Sequence, residues 1–311
     1  MAERFLGLVV RATGSWYEVL HEGVTYSCRM RGRMRLRGVR STSPVVVGDT
    51  VHCEQEQQGS YVICDVEPRR NYIIRRASNL SKESHIIAAN IDRAMIVATL
   101  FSPETATEFI DRFLVTCEAY KIPVTILLAK IDLARAEREE AVEEFRSIYN
   151  SAGYEVVEIS ATEGIGIEAV KELLKGKTTL ISGNSGVGKS TLIKAIEPDV
   201  EIRTGEISQS HNKGKHTTTF STIYPLSGSD GGYIIDTPGI KGFGLLDIED
   251  EELWHYYPEM LSIGEECQFY NCTHTHEPKC AVRRAVEQGE IAYSRYESYL
   301  KILDEDEKYR K

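Results

Sequence analysis

One segment leaves little freedom in how its surroundings fold: Gly183-Asn184-Ser185-Gly186-Val187-Gly188-Lys189-Ser190. It fills every position of a phosphate-binding loop, G-x-x-x-x-G-K-S/T. The run Thr178–Ile181 before it predicts a strand, and Ser190–Ile196 after it predicts a helix. The motif needs that frame, because small residues let backbone N–H groups converge on phosphate oxygens at the positive end of a helix. Lys189 is then placed to reach the β- and γ-phosphates, and the Ser190 hydroxyl to ligate Mg²⁺, with Thr191 beside it. A glycine-rich turn that binds nothing would not explain why all the positions are filled.

The loop belongs to a longer alternation. Met95–Thr99, Val124–Leu128, Tyr154–Ile159 and Tyr233–Ile235 read as strands. Glu104–Tyr120, Ala134–Tyr149 and Gly166–Leu174 read as helices between them. Continuous apolar strands alternating with helices predict a mostly parallel sheet covered on both faces.

Residues before about 70 read differently. Leu6–Gly14, Ser15–Leu20, Thr25–Met30, Val45–Cys53 and Gly59–Val66 are short strand patterns with glycine turns. They predict a small closed β fold, with a five-stranded OB-type barrel as the best match. Arginines at 29, 31, 33, 35 and 37 would share one face of an extended chain. Such a row suits an RNA phosphate track, or else is a solvated basic loop. The net charge of −10 excludes a protein that coats nucleic acid indiscriminately, so any contact must be local. No apolar run is long enough to span a bilayer, and no signal peptide is legible at the N-terminus.

Three more segments fall at predicted strand ends, the edge where α/β sheets place ligands: Ala129-Lys130-Ile131-Asp132, Ser160-Ala161-Thr162 and Asp236-Thr237-Pro238-Gly239. Each is weak alone, but together with the phosphate loop they make a site. Asp132 can accept from guanine N1–H and N2–H, and adenine offers neither. Lys130 can lay its stem over base or ribose, and Ala161 can offer its N–H to guanine O6. Asp236 can hold Mg²⁺ through water, and the Gly239 N–H can meet the γ-phosphate.

The order of these parts is unusual. Most GTPases place the phosphate loop first and Lys-x-Asp and Ser-Ala last, whereas here Lys-x-Asp and Ser-Ala precede it. The chain resembles a circularly permuted GTPase. Over nearly its whole length it is similar to the bacterial ribosome small-subunit-dependent GTPase A family. The most specific marks are the permuted order, Lys215-His216-Thr217-Thr218-Thr219 and a C-terminal cysteine cluster. The resemblance implies a Mg²⁺-dependent GTPase that binds GTP and GDP. It also implies a cytoplasmic, monomeric protein that acts on the 30S subunit and its 16S rRNA in late maturation, stimulated by the subunit. The rivals are an RNA-binding module with a structural, unhydrolysed nucleotide and an ATP-using P-loop enzyme.

Two positions bear on activity. The family has asparagine where this chain has Ala129, and losing that side-chain hydrogen bond costs about 0.5–1.5 kcal/mol. Ile240 stands where Ras-like enzymes carry the water-orienting glutamine, so unaided turnover should be slow. His216 is the substitute, an imidazole able to orient or deprotonate water, and the resemblance implies the same role. A histidine solvated in a surface loop is the alternative. Thr218, or failing it Thr217, would ligate Mg²⁺.

The cluster reads Cys267-x₄-Cys272-x-His274-x₅-Cys280. Three thiolates and an imidazole are a full tetrahedral set for structural Zn²⁺, with no position left for water. His276 competes with His274 on spacing, and the family pattern favours His274. An irregular segment with little apolar content needs such a staple, which supplies on the order of 10 kcal/mol of folding free energy. Cys28, Cys53, Cys64 and Cys117 are scattered and read mostly as buried small hydrophobes. The expected organisation is therefore a barrel at 1–70, a permuted α/β GTPase domain at 71–244 and a mainly helical zinc-binding domain at 245–311.

Overall fold

The structure, a computed structural model, describes residues 4–31, 44–56, 59–75, 85–200, 221–228, 231–237 and 248–310. Strands β1 (Arg4–Thr13), β2 (Trp16–His21), β3 (Val24–Met30), β4 (Thr50–Gln55) and β5 (Tyr61–Val66) run in the order β1-β2-β3-β5-β4. Pairing of β4 with β1, Phe5 opposite Cys53, closes them into a barrel. Alternate residues point inward, so Val9, Val19, Cys28, Val51, Cys53 and Ile63 fill the interior. The strand expected over Val45–Cys53 begins only at Thr50. The Asp49 carboxylate accepts from the Val46 N–H (2.8 Å) and bends those residues into a turn. Fully buried, Asp49 is neutralised by a two-pronged Arg69 contact at 2.7 Å on each oxygen. Cys28, Cys53 and Cys117 are buried as expected, while Cys64 is partly exposed.

A hairpin that the sequence did not announce follows, β6 (Tyr72–Arg75) with β7 (His85–Ala89). Gly48 docks the barrel against it. Its φ of +91° and the Ala89 carbonyl leave no room for a Cβ there.

The second sheet is built from β8 (Arg93–Ala98), β9 (Val124–Ala129), β10 (Glu155–Ile159), β11 (Thr178–Gly183), β12 (Thr222–Pro225) and β13 (Tyr233–Asp236). Their order is β10-β9-β8-β11-β13-β12, parallel except for β12, a strand not anticipated. Helices α1 (Thr107–Ala119), α2 (Ile131–Ser151), α3 (Ile167–Leu174) and α4 (Lys189–Ile196) cover the faces. The pleat of β8 shows how. Ala94, Ile96 and Ala98 pack with Phe113 and Leu114 of α1, whereas Met95 and Val97 pack with Leu192 and Ile193 of α4. Val10 and Val47 of the barrel join the first of these cores, so the barrel shares apolar packing with the second sheet.

A short 3₁₀ helix (Asp250–Tyr256) leads to α5 (Pro258–Gly264), α6 (Ala281–Glu287) and α7 (Tyr293–Arg310). The first of these is wound as 3₁₀ and not as α-helix. Pro258 opens α5 as well as ending what precedes it, its missing N–H costing nothing in a first turn. These elements bury their own core, joined by Val115 of α1. Arg295 of α7 is 1% exposed. It binds Asp111 of α1 at 2.5 Å and Glu259 of α5 at 2.7 Å. Its guanidinium lies 4.6 Å from the Tyr257 ring centroid.

Candidate nucleotide site and metal centre

The parallel strands β9, β10 and β11 end at one edge, and there a cavity of about 230 Å³ opens. Its lining brings together Ala129, Lys130 and Asp132, then Ser160, Ala161 and Thr162, and Val187 and Gly188 of the phosphate loop with Thr191 of α4. Segments far apart in sequence therefore share one chamber. Val97, Ile159 and Leu192 add apolar lining.

Each wall has a local cause. Gly183 and Gly188 have φ of +152° and +103°, and a Cβ on Gly183 would lie 2.6 Å from the Val97 carbonyl oxygen. The backbone can therefore turn sharply from β11 into α4 only with glycine there. The Lys189 ammonium donates to the Gly183 (2.5 Å) and Asn184 (2.9 Å) carbonyls, bracing the loop from within. Burial lowers the Lys189 pKa, and the Asp236 charge opposes that fall. Burial likewise raises the Asp236 carboxyl, with Lys189 opposing. Asp236 stands opposite Ile181 across the β11–β13 ladder. Its Oδ1 is buried without a hydrogen-bond partner, an acceptor that a hydrated dication would satisfy. Ser190 and Thr191 are exposed in the first turn of α4.

Lys130 has a left-handed φ of +57° between β9 and α2. The helix expected from Ala134 begins at Ile131, so Asp132 lies in its first turn. Ser160 shapes the neighbouring turn. Its buried hydroxyl lies 3.1 Å from that of Thr162 and accepts from the Glu163 N–H at 3.3 Å. The loop between β8 and α1, which the sequence reading passed over, lies beside the Lys130 turn and the phosphate loop. The Lys130 ammonium donates to the Ser102 carbonyl. A Cβ on Gly186 would lie 3.5 Å from Pro103 Cδ, so the Pro103 ring faces the phosphate loop. Nothing in the local sequence distinguishes this loop from an ordinary connection.

His216, Thr217, Thr218, Gly239 and Ile240 lie outside the described residues. So do Arg33, Arg35 and Arg37. Of the arginine row, Arg29 lies 3.9 Å from the Trp16 ring centroid, and Arg31 pairs with Glu54 at 2.8 Å.

The second cluster assembles as its spacing suggested. Ligand atoms of Cys267, Cys272, His274 and Cys280 all lie within 4.8 Å of one another. Cys267 Sγ is 3.9 Å from Cys280 Sγ and 3.6 Å from His274 Nδ1, and His274 Nδ1 is 3.3 Å from Cys280 Sγ. A tetrahedral ion with ~2.3 Å bonds to sulfur sets sulfur–sulfur edges near ~3.8 Å, so the donors fit one. Burial pushes the Cys272 thiol up to about 12, so a thiolate there calls for a cation. Backbone N–H groups of Ala281 and Arg283 point at Cys267 and Cys280 sulfurs (3.3 and 3.4 Å). The Trp254 ring meets His274 edge-on at 4.8 Å, and the Tyr296 hydroxyl donates to the His274 carbonyl at 2.7 Å. His276 is exposed, its Nδ1 2.8 Å from the Thr275 hydroxyl, outside the cluster.

Comparison with known proteins agrees with this arrangement. The family described as RsgA GTPase matches residues 66–246, and that described as RsgA N-terminal domain matches residues 6–63. The protein named small ribosomal subunit biogenesis GTPase RsgA in Bacteroides fragilis is 52% identical over 98% of both chains. Its counterpart in Phocaeicola vulgatus is 53% identical over 98% of both. Among solved structures, YjeQ from Thermotoga maritima matches with a TM-score of 0.74 at 38% identity, over 97% of this chain and 98% of that one. YloQ, described as a circularly permuted GTPase, matches with 0.70 at 28%, over 99% and 96%.

Proposed function

This chain belongs to the RsgA GTPase family, and from that premise we propose that it hydrolyses GTP while bound to the 30S ribosomal subunit, in late maturation of that subunit. The observation that carries the reading is the single cavity lined by Asp132 and by Gly188 and Thr191. A guanine nucleotide is the ligand that uses both ends. Its base edge donates to a carboxylate, and its phosphates need converging N–H groups beside a lysine.

In this reading Asp132 selects guanine, the stem of Lys130 covers base or ribose, and Ser160 and Ala161 complete the base pocket. Ala129 and Ile131 hold the Lys-x-Asp turn. The backbone of Gly183 to Gly188, including Asn184, Ser185, Gly186 and Val187, cradles the phosphates. Lys189 neutralises charge that builds on the transferring phosphoryl group. Mg²⁺ bound with GTP would neutralise phosphate charge, with Ser190, Thr218 and Asp236 around it. The Gly239 N–H meets the γ-phosphate, and His216 orients the attacking water. The four clustered ligands hold Zn²⁺ as a structural ion.

The arginine row and the barrel engage 16S rRNA. No helix among the described residues is long and apolar enough to cross a membrane. The reading places the protein in the cytoplasm as a monomer, where the subunit matures. The working division is 1–70 for the barrel, 71–244 for the permuted GTPase domain and 245–311 for the zinc domain.

The test is GTP turnover with and without purified 30S particles. Strong stimulation is expected, and ATP should fail to compete. His216→Ala should leave nucleotide affinity nearly intact and cut stimulated turnover about 10²-fold or more. Equal rates with and without the subunit would remove the proposed role.

A further inference from the structure

A buried position in the base loop lacks something. Ala129 is 6% exposed and lines the cavity together with Val187 and Gly188 of the phosphate loop. A side-chain amide at this point would reach between the two loops, and a methyl group cannot tie them. The neighbouring residue makes a different connection. Lys130 leaves β9 with a left-handed backbone, and its ammonium ends on the Ser102 carbonyl in the β8–α1 loop.

That loop is itself held firmly. Thr99 and Thr105 are 2% and 6% exposed. The Thr99 hydroxyl donates to the Pro103 carbonyl at 2.5 Å, and the Thr99 N–H donates to the Thr105 hydroxyl at 3.0 Å. The Thr105 N–H returns to the Thr99 carbonyl at 2.9 Å. Bonds at both ends of so short a loop fix where the Ser102 carbonyl and the Pro103 ring stand. Pro103 in turn faces Gly186, inside the phosphate loop, close enough that a Cβ added there would touch its ring (3.5 Å to Cδ).

We propose that the β8–α1 loop is a positioning element of the nucleotide site. Through the Ser102 carbonyl and the Pro103 ring it couples the base-binding loop to the phosphate loop, a coupling that Ala129 cannot make. Thr99 and Thr105 act through this loop as positioning residues, and neither touches the nucleotide. The stem of Lys130 remains free to cover the base while its charged end is anchored. The two halves of the chamber then keep the spacing a bound guanine nucleotide spans. The inference rests on the reading of the cavity as a guanine site.

The test is a double-mutant cycle read by equilibrium binding of a fluorescent GDP, with circular dichroism to verify folding. Lys130→Met keeps the stem and removes the anchor. It is expected to weaken GDP binding about tenfold, the scale of one charge-assisted hydrogen bond. Ala129→Asn supplies the missing amide, and in that background the same change should cost less than about threefold. Thr105→Val loosens the loop and should produce a loss like that of Lys130→Met. Combining those two changes should add little more, since both break one tether. Equal losses from Lys130→Met with Ala or Asn at 129 would overturn the proposal, as would a folded Thr105→Val protein with undiminished affinity. If Thr105→Val does not fold, the cycle at 129 and 130 decides alone. A wild-type protein that bound no GDP would instead overturn the guanine reading itself.

Discussion

Asp132 lies in the first turn of α2 and faces the same cavity as Thr191. Asp132→Asn exchanges one carboxylate oxygen for an N–H donor. Guanine N2–H would then meet a donor, and GTP affinity is expected to fall by about 10²-fold or more. XTP carries an oxygen at that ring position and should bind in its place. Competition of GTP and XTP against fluorescent GDP measures the switch, and an unaltered preference would take Asp132 out of the base site. At the other end, Lys189→Ala removes the charge braced on the Gly183 and Asn184 carbonyls. Nucleotide binding should drop by about 10²-fold, the scale of a lost charged contact. These residues were legible in the sequence because their geometry is local. A loop with every position filled leaves its backbone little choice. Asp49 was not legible, since nothing nearby says that Arg69 will meet it inside the fold.

Among the elements, α7 is the instructive one. Its sequence, Tyr293-Ser294-Arg295-Tyr296-Glu297, resembles a solvated helix face, yet Arg295 is buried between Asp111 and Glu259. The partners come from α1 and α5, so only the folded chain reveals the ion cluster. Burial raises the Asp111 carboxyl, and Arg295 opposes that rise. Arg295→Met should cost about 3–5 kcal/mol of stability, because it strands a buried carboxylate. Adding Asp111→Asn should recover part of that loss. Urea titration of both variants checks this, and simply additive losses would contradict the pairing. The elements missed from sequence share a cause. β6, β7 and β12 pair antiparallel with partners elsewhere in the fold and continue no strand–helix alternation that would announce them. β8, β9 and β11 were legible because nearly every residue of each is buried, leaving continuous apolar runs between helices.

For the molecule as a whole, the clustered cysteines and His274 gather the irregular stretch between α5 and α6 beside a core that includes Trp254, Tyr257, Tyr296 and Tyr299. Chelation of the metal should disorder that region and leave the two sheets folded. Trp254 rests against His274, and the only other tryptophan, Trp16, is in the barrel. Fluorescence of a Trp16→Phe variant therefore reports on the centre alone. A clear spectral change on chelation, reversed by Zn²⁺, is expected. An unchanged spectrum after verified metal removal would argue against this ligand set. Sequence placed the ligands but not their setting. The spacing of cysteines is local information, whereas the packing of Trp254 and Tyr296 around His274 is not.

The barrel and the nucleotide-side sheet share one backbone rung, Arg11 opposite Thr222, beside their common apolar packing. β12 comes directly after the threonine-bearing stretch at 215–219 in sequence, and β1 is the barrel strand that β2 and β4 both clasp. That rung is backed by the apolar packing of Val10 and Val47 and by the Ala89 N–H bond to the Val47 carbonyl (2.9 Å), so the barrel is held against the sheet at more than one place. The chain therefore runs from that stretch straight into a strand that hydrogen-bonds the arginine-bearing barrel, a short covalent path between the two.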